Sequence, residues 1–296
     1  MKQSVKLILL AVLFCAYCTQ AQDEEAADPG SDEIFGNVTN PADNHRAGRM
    51  VKGSLASIAA YPYVVTVILT DSTGASSYSA GVIISSTRVL ACASTFLYIP
   101  AGSKITVRAG SIYQTKEGTV FEIQSFVLHS QFGFSSSAND VAVITISGTF
   151  DGVPNVQPIA VATTPLDPSS PNLASCFLLG WGMTESSATS VNLKRADYKL
   201  ITDAACASTY KNLVASTQCA QSVTGFGCSG DGGSPLVCDN RLYGTFIFDS
   251  CVLIDDQAVN KFTKLPAASI QSFLSAYLPV VSSPASQPRK NYVSCP

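Results

Sequence analysis

The chain has 296 residues, 46% of them hydrophobic and 13% charged, with a formal net charge of -3. That is ample for a packed core. It leaves no basic stripe, which excludes a nucleic-acid or heparin-type partner.

Residues 1–21 read as an export signal. Lys2 and Lys6 flank the charged start, residues 7–18 are apolar, and Thr19-Gln20-Ala21 ends in a small residue suited to cleavage. The apolar run is shorter than the roughly 20 residues a membrane span needs. No later stretch is longer, so no membrane contact is expected once the signal is gone. Of the ten cysteines, Cys15 and Cys18 leave with it. The others enter an oxidising compartment, where disulfides are the default. No Cys/His spacing suits zinc, and the sequence calls for no metal and no cofactor.

Residues 22–49 form an acidic, turn-rich leader with little to bury. Asn37-Val38-Thr39 is a glycosylation sequon, which marks Asn37. Gly48-Arg49-Met50-Val51 follows, and an Arg closing a polar leader is a cut site for a processing protease. The alternative is an ordinary exposed basic residue.

From there the pattern is β. Short β-branched runs at residues 63–69, 81–84, 88–91, 104–108, 120–123 and 141–146 are separated by Ser, Gly, Asn and Asp turns. The second half continues at 176–182, 196–200, 236–237 and 243–248. Only residues 267–278 read as a helix, with Ile270, Phe273, Leu274 and Tyr277 on one face. No solenoid-period repeat is present.

The most informative stretch is Gly227-Cys228-Ser229-Gly230-Asp231-Gly232-Gly233-Ser234-Pro235-Leu236-Val237-Cys238. A Gly-rich turn between cysteines suits a backbone that bends sharply and presents N–H groups. It resembles the nucleophile loop of the chymotrypsin/trypsin family of serine proteases, C-x-G-D-S-G-G-P-L. Other landmarks follow that family in order. Arg49-Met50-Val51-Lys52-Gly53 resembles its activation site, Tyr61-Pro62-Tyr63-Val64-Val65 its first barrel strand, Asn139-Asp140-Val141 its N-D-I segment and 176–182 its C-x-x-x-G-W-G. The resemblance spans residues 50–278. It implies an all-β fold of two packed six-stranded antiparallel β-barrels with a C-terminal helix. A Pro/Ser-rich tail, 279–296, follows this domain.

The resemblance pairs Cys176 with Cys238, Cys206 with Cys219 and Cys228 with Cys251. The family's bridge beside its catalytic His is lost as a pair, with Ser79 and Thr95 at its two positions. Cys92, in an apolar run, reads as a buried free thiol. Cys295, in the tail, is available for an intermolecular disulfide, and a Cys92–Cys295 bridge stays open.

The same resemblance assigns the site. Its triad carboxylate is Asp140. Ser94 stands where the catalytic His belongs, and Gly232 where the nucleophilic Ser belongs. A serine hydroxyl cannot accept a proton at neutral pH as an imidazole does. The chain has only two histidines, His45 in the leader and His129 well before Asp140. Ser234 and Ser229 flank Gly232, but a nucleophile displaced by even 1 Å loses about 10²-fold. The oxyanion-hole donors would be the N–H groups of Gly230 and Gly232. Cleavage after Arg49 would free a Met50 amine to pair with Asp231. Phe226 sits at the specificity-pocket floor, and Ile247, Phe248 and Asp249 replace the pocket's S-W-G wall. They either shrink the pocket or simply fill the core. The expectation is a secreted, non-catalytic homologue that binds an extracellular protein: a protease, an inhibitor or a receptor. The alternatives are an active endopeptidase with an unconventional site, or a bulk secreted scaffold.

Overall fold

The structure is a computed structural model and describes residues 51–170, 175–184, 189–247 and 258–278. The signal, leader and tail expected from the sequence lie outside the described residues, as do Asn37, Arg49, Met50, Phe248, Asp249, Cys251 and Cys295.

The first barrel is built from β2 (Val64–Thr70), β3 (Ser76–Ile83), β4 (Arg88–Ala91), β5 (Lys104–Ala109), β6 (Thr119–Leu128) and β7 (Ala142–Ile146). It closes in the order β2-β3-β4-β7-β6-β5, every pairing antiparallel. The β2 residues Val64 to Ile68 are all buried, so the strand reads as a continuous apolar run rather than an alternation.

The second barrel uses β8 (Cys176–Gly180), β9 (Lys194–Leu200), β10 (Thr217–Ser222), β11 (Pro235–Cys238), β12 (Arg241–Ile247) and β13 (Val259–Lys264). Its order is β9-β10-β13-β12-β11-β8, and the β8–β9 ladder closes it. A short β1 (Ser54–Leu55) adds to β9. Closure removes the free edges that would invite strand addition. The fold is therefore two six-stranded antiparallel barrels, as the resemblance implied.

Besides the two-residue β1, two strands and a helix were not anticipated. β10 and β13 bury Thr217, Gln218, Ser222, Asn260 and Thr263, so they show no apolar alternation. Their polar groups are bonded instead: Gln218 Nε2 donates to Ile201 O and Cys219 O, both at 3.0 Å, and Tyr198 Oη donates to Asn260 Oδ1 at 2.6 Å. Helix α1 (Asp203–Thr209) starts at Thr202, whose hydroxyl accepts from Ala205 N–H. The C-terminal helix α2 runs only from Ala268 to Leu274, shorter than 267–278. It buries Ile270 and Leu274, while Phe273 and Tyr277 pack partly buried on the same core.

Cys176–Cys238 and Cys206–Cys219 are bonded as the resemblance paired them. Cys228 is disulfide-bonded too. Cys92 is free and buried, and Cys295, to which the sequence left a bridge open, lies outside the described residues.

Candidate functional site

The site forms where three chain segments meet: the 3₁₀ turn Ala93–Phe96, the loop ahead of β7, and the Gly-rich loop ahead of β11. The loop ahead of β7 is set by polar bonds. Asn139 adopts a left-handed conformation, φ 54°, which Asn tolerates better than most residues. Its N–H donates to Ser216 Oγ at 2.9 Å and its Nδ2 to Gln131 O at 3.1 Å. Ser269 on α2 donates its hydroxyl to Asn139 Oδ1 at 2.7 Å. His129 closes this ring, its Nδ1 accepting from Gln131 N–H at 3.1 Å and its Nε2 donating to Ser269 O at 3.2 Å. With Nδ1 accepting, the imidazole proton sits on Nε2. Both ring nitrogens are thus spent on structure.

Asp140 follows directly and is buried at 2% exposure. Its carbonyl accepts from Thr263 Oγ1 at 2.8 Å, a tie to β13 that the sequence pattern did not reveal. Its carboxylate accepts twice from Ser94: from the N–H at Oδ1 and from the hydroxyl at Oδ2, each at 2.8 Å. Burial raises the Asp140 carboxyl above its ordinary value, and the Ser94 donors work against that. Ser94 therefore sits on the Asp140 carboxylate but brings no proton acceptor of useful basicity.

Cys92 lies behind this pair, at 1% exposure, with Sγ donating to Phe246 O at 3.3 Å. Burial, and then the Asp140 charge, raises its thiol well above the ordinary value. It is inert in the sense that matters for catalysis, because the thiolate is disfavoured.

The Gly-rich loop is held from several sides. Asp231 N–H donates to Cys228 O, Gly233 N–H to Phe246 O and Ser234 N–H to Asp231 O, while Gly232 O accepts from Ala80 N–H. Among the described residues, the N–H groups of Gly230 and Gly232 make no backbone bond. Gly230 has φ 88° and Gly233 φ 82°, the left-handed region that favours glycine. At Gly232 an added Cβ would meet nothing within 4 Å. The position that the resemblance aligns with the family's nucleophile thus has open space and no side chain. Ser234, two residues on, is fully buried. It faces inward beside Asp231 rather than into the cleft, since a side chain on Gly180 would strike both the Asp231 carboxylate and the Ser234 hydroxyl.

Asp231 is also fully buried. Oδ1 accepts from Gly182 N–H at 2.8 Å and Oδ2 from Cys228 N–H at 3.0 Å. Burial pushes its carboxyl up to about 7, against those donors. Next to it, Phe226 belongs to the second barrel's core at 2% exposure, and its N–H donates to Val51 O at 3.1 Å. Ile247, at 4% exposure, ends β12.

Residues 50–262 match the family model described as Trypsin. The chain belongs to the trypsin family of serine proteases. It is 31% identical over 205 residues to trypsin alpha of Drosophila melanogaster, covering 67% of this chain and 76% of that one. It is 30% identical over 202 residues to trypsin alpha-4 of Lucilia cuprina, with the same coverage of 67% and 76%. Among solved structures it is similar to the scabies mite inactivated protease paralogue S-D1, with a TM-score of 0.63 at 20% identity, over 77% of this chain and 99% of that one. It is similar also to HL collagenase, with a TM-score of 0.64 at 23% identity, over 76% and 97%. Trypsin-family chemistry needs a base and a nucleophile aligned with an orienting carboxylate, and Asp140, Ser94 and Gly232 occupy the segments described above.

Proposed function

We propose that this trypsin-family chain is a secreted, catalytically silent homologue that acts by binding an extracellular protein: a protease, an inhibitor or a receptor. One observation carries the reading. The hydroxyl on Asp140 is that of Ser94, an alcohol and not a base, and the loop position open to the cleft, Gly232, has no side chain. Ser234 is no substitute, being buried beside Asp231.

Binding is supported by the surface flanking Ser94 and Asp140. Tyr98 is 79% exposed and Leu97 47%, just beyond the 3₁₀ turn; Phe134 is 69% exposed in the loop ahead of Asp140. Aromatic anchors of this kind dominate binding energy at protein interfaces. Secretion is supported by the export signal and by the disulfides. The mite protein of the same fold is named an inactivated protease paralogue, a precedent for this scaffold without proteolysis.

The test is fluorophosphonate labelling and peptide-library cleavage by the chain cut after Arg49, beside a Ser94→His/Gly232→Ser double variant. Wild type is expected to be silent and the double variant to label. Labelling of wild type would overturn the reading, and the labelled residue would locate the true nucleophile.

A further inference from the structure

At the end of β11 opposite the Gly-rich loop, the second barrel holds a pocket of about 280 Å³. It forms where residues 162–166 run beside the β11–β12 hairpin. Val161 bridges Leu242 in parallel fashion, Ala162 N–H donates to Leu242 O, and Leu242 N–H donates to Ala160 O, both at 2.9 Å. These bonds hold Thr163 and Thr164 in the pocket wall. The hairpin turns through Asp239 and Asn240, φ 50° and 55°, a two-residue turn with both positions left-handed. Cys238 and Arg241 stand opposite each other across it, so their side chains leave the same face of the sheet. Arg241 thus enters the pocket beside the Cys176–Cys238 disulfide.

The polar groups of the wall are unpartnered. Arg241 and Asp239 are exposed, and among the described residues neither makes a salt bridge, with the other or elsewhere. Tyr243 closes the floor. Its Oη accepts from Leu166 N–H at 2.8 Å, and its proton has no acceptor among the described residues, an unfavourable state for a buried donor. Burial, and after it the Asp203 charge, raises the phenol, so the proton stays in place. Asp203 and its neighbour Lys264, 4.0 Å apart, lie outside the lining. Ala162, Leu166 and the disulfide make the rest of the wall apolar.

A lone anion here would face Asp239 and a lone cation Arg241, and like-charge contacts of this kind cost affinity. A ligand carrying both charges meets neither penalty, and its carboxylate can take two parallel N–H bonds from one guanidinium. The volume lies just below the roughly 300 Å³ at which drug-sized ligand sites begin, so the ligand is compact. We propose that this pocket binds a free α-amino acid with an apolar side chain. Its carboxylate lies on Arg241 and toward the Tyr243 hydroxyl, its ammonium on Asp239, and its side chain against Ala162, Leu166 and the disulfide. The site is separate from the cleft and does not rest on the function proposed for it.

The experiment titrates the full chain with L-leucine by isothermal calorimetry, beside 4-methylpentanoate, which lacks the amine, and 3-methylbutylamine, which lacks the carboxylate. Saturable leucine binding is expected, about tenfold or more tighter than either analogue. Arg241→Gln and Asp239→Asn are each expected to weaken leucine about tenfold or more. Both positions are exposed, and thermal unfolding checks that the variants keep the wild-type fold. Absence of saturable binding at millimolar leucine would overturn the proposal. So would 4-methylpentanoate binding as tightly as leucine, which would make the pocket an anion site, or either folded variant binding leucine as wild type does. None of these outcomes depends on whether Ser94, Gly232 or any other cleft residue supports catalysis.

Discussion

Ser94 grips Asp140 at both oxygens, its N–H at Oδ1 and its hydroxyl at Oδ2, each 2.8 Å away. The carboxylate thereby fastens the 3₁₀ turn Ala93–Phe96 to the loop ahead of β7. Ser94→Ala removes one of the two bonds and leaves the other. A hydrogen bond to a charged group contributes about 1.5–3 kcal/mol when buried, and Ser94 is exposed, so a loss of about 1 kcal/mol is expected. Urea unfolding at neutral pH measures it. An unchanged midpoint would mean that the hydroxyl bond is not maintained in solution.

Gly232 and Gly233 are neighbours with opposite tolerance. A Cβ on Gly232 enters open space, whereas Gly233 has φ 82° and its Cβ would run into the Ala80 carbonyl. Gly232→Ala is expected to change stability by no more than about 0.5 kcal/mol. Gly233→Ala should cost about 2 kcal/mol or more, through backbone strain and collision together. Thermal unfolding of the two variants decides it. Equal losses would mean that the loop does not keep this conformation.

Cys92 is the one free thiol among the described residues. Its burial predicts no alkylation by iodoacetamide in the native protein at pH 8, and full alkylation after denaturation. Modification of the native protein at the rate of an exposed thiol would show that the floor beneath Ser94 opens.

The barrels were legible because β2, β4 and β7 carry β-branched apolar residues and β8 is a short apolar run, and the candidate site was legible because Asp140, Asp231 and the glycines stand in recognisable order. The sequence hid β10 and β13 because their inward residues are Thr, Gln, Asn and Ser, satisfied by bonds that only tertiary structure supplies. It hid α1 because the signal there is a Thr cap on a seven-residue helix. Ser234 was visible as a residue but not as a buried neighbour of Asp231, since a tight turn can aim a side chain two residues from Gly232 either into the cleft or into the core. The Asn139–His129–Ser269 ring joins residues up to 140 apart, beyond any local pattern.

The Asp231 carboxyl gives the last prediction. Burial raises it from its ordinary 3.8 to about 7. A raised carboxyl binds its proton more tightly in the native state than in the unfolded chain. Between about pH 4 and 7 the native state therefore holds the extra proton, and linkage makes stability fall as pH rises through that window. The contribution is fully present below the unfolded value and gone above about 7. The slope from this one group is at most about 1.4 kcal/mol per pH unit. Asp140, also raised by burial, acts in the same direction. In the uncut Arg49→Gln chain, Asp231→Asn should flatten the fall while lowering stability at pH 4, because an amide nitrogen cannot accept from the N–H group that it then faces. Urea unfolding of the pair across pH 4 to 8 measures the difference. If the two curves run parallel, Asp231 is ionised throughout and a cation outside the described residues holds it.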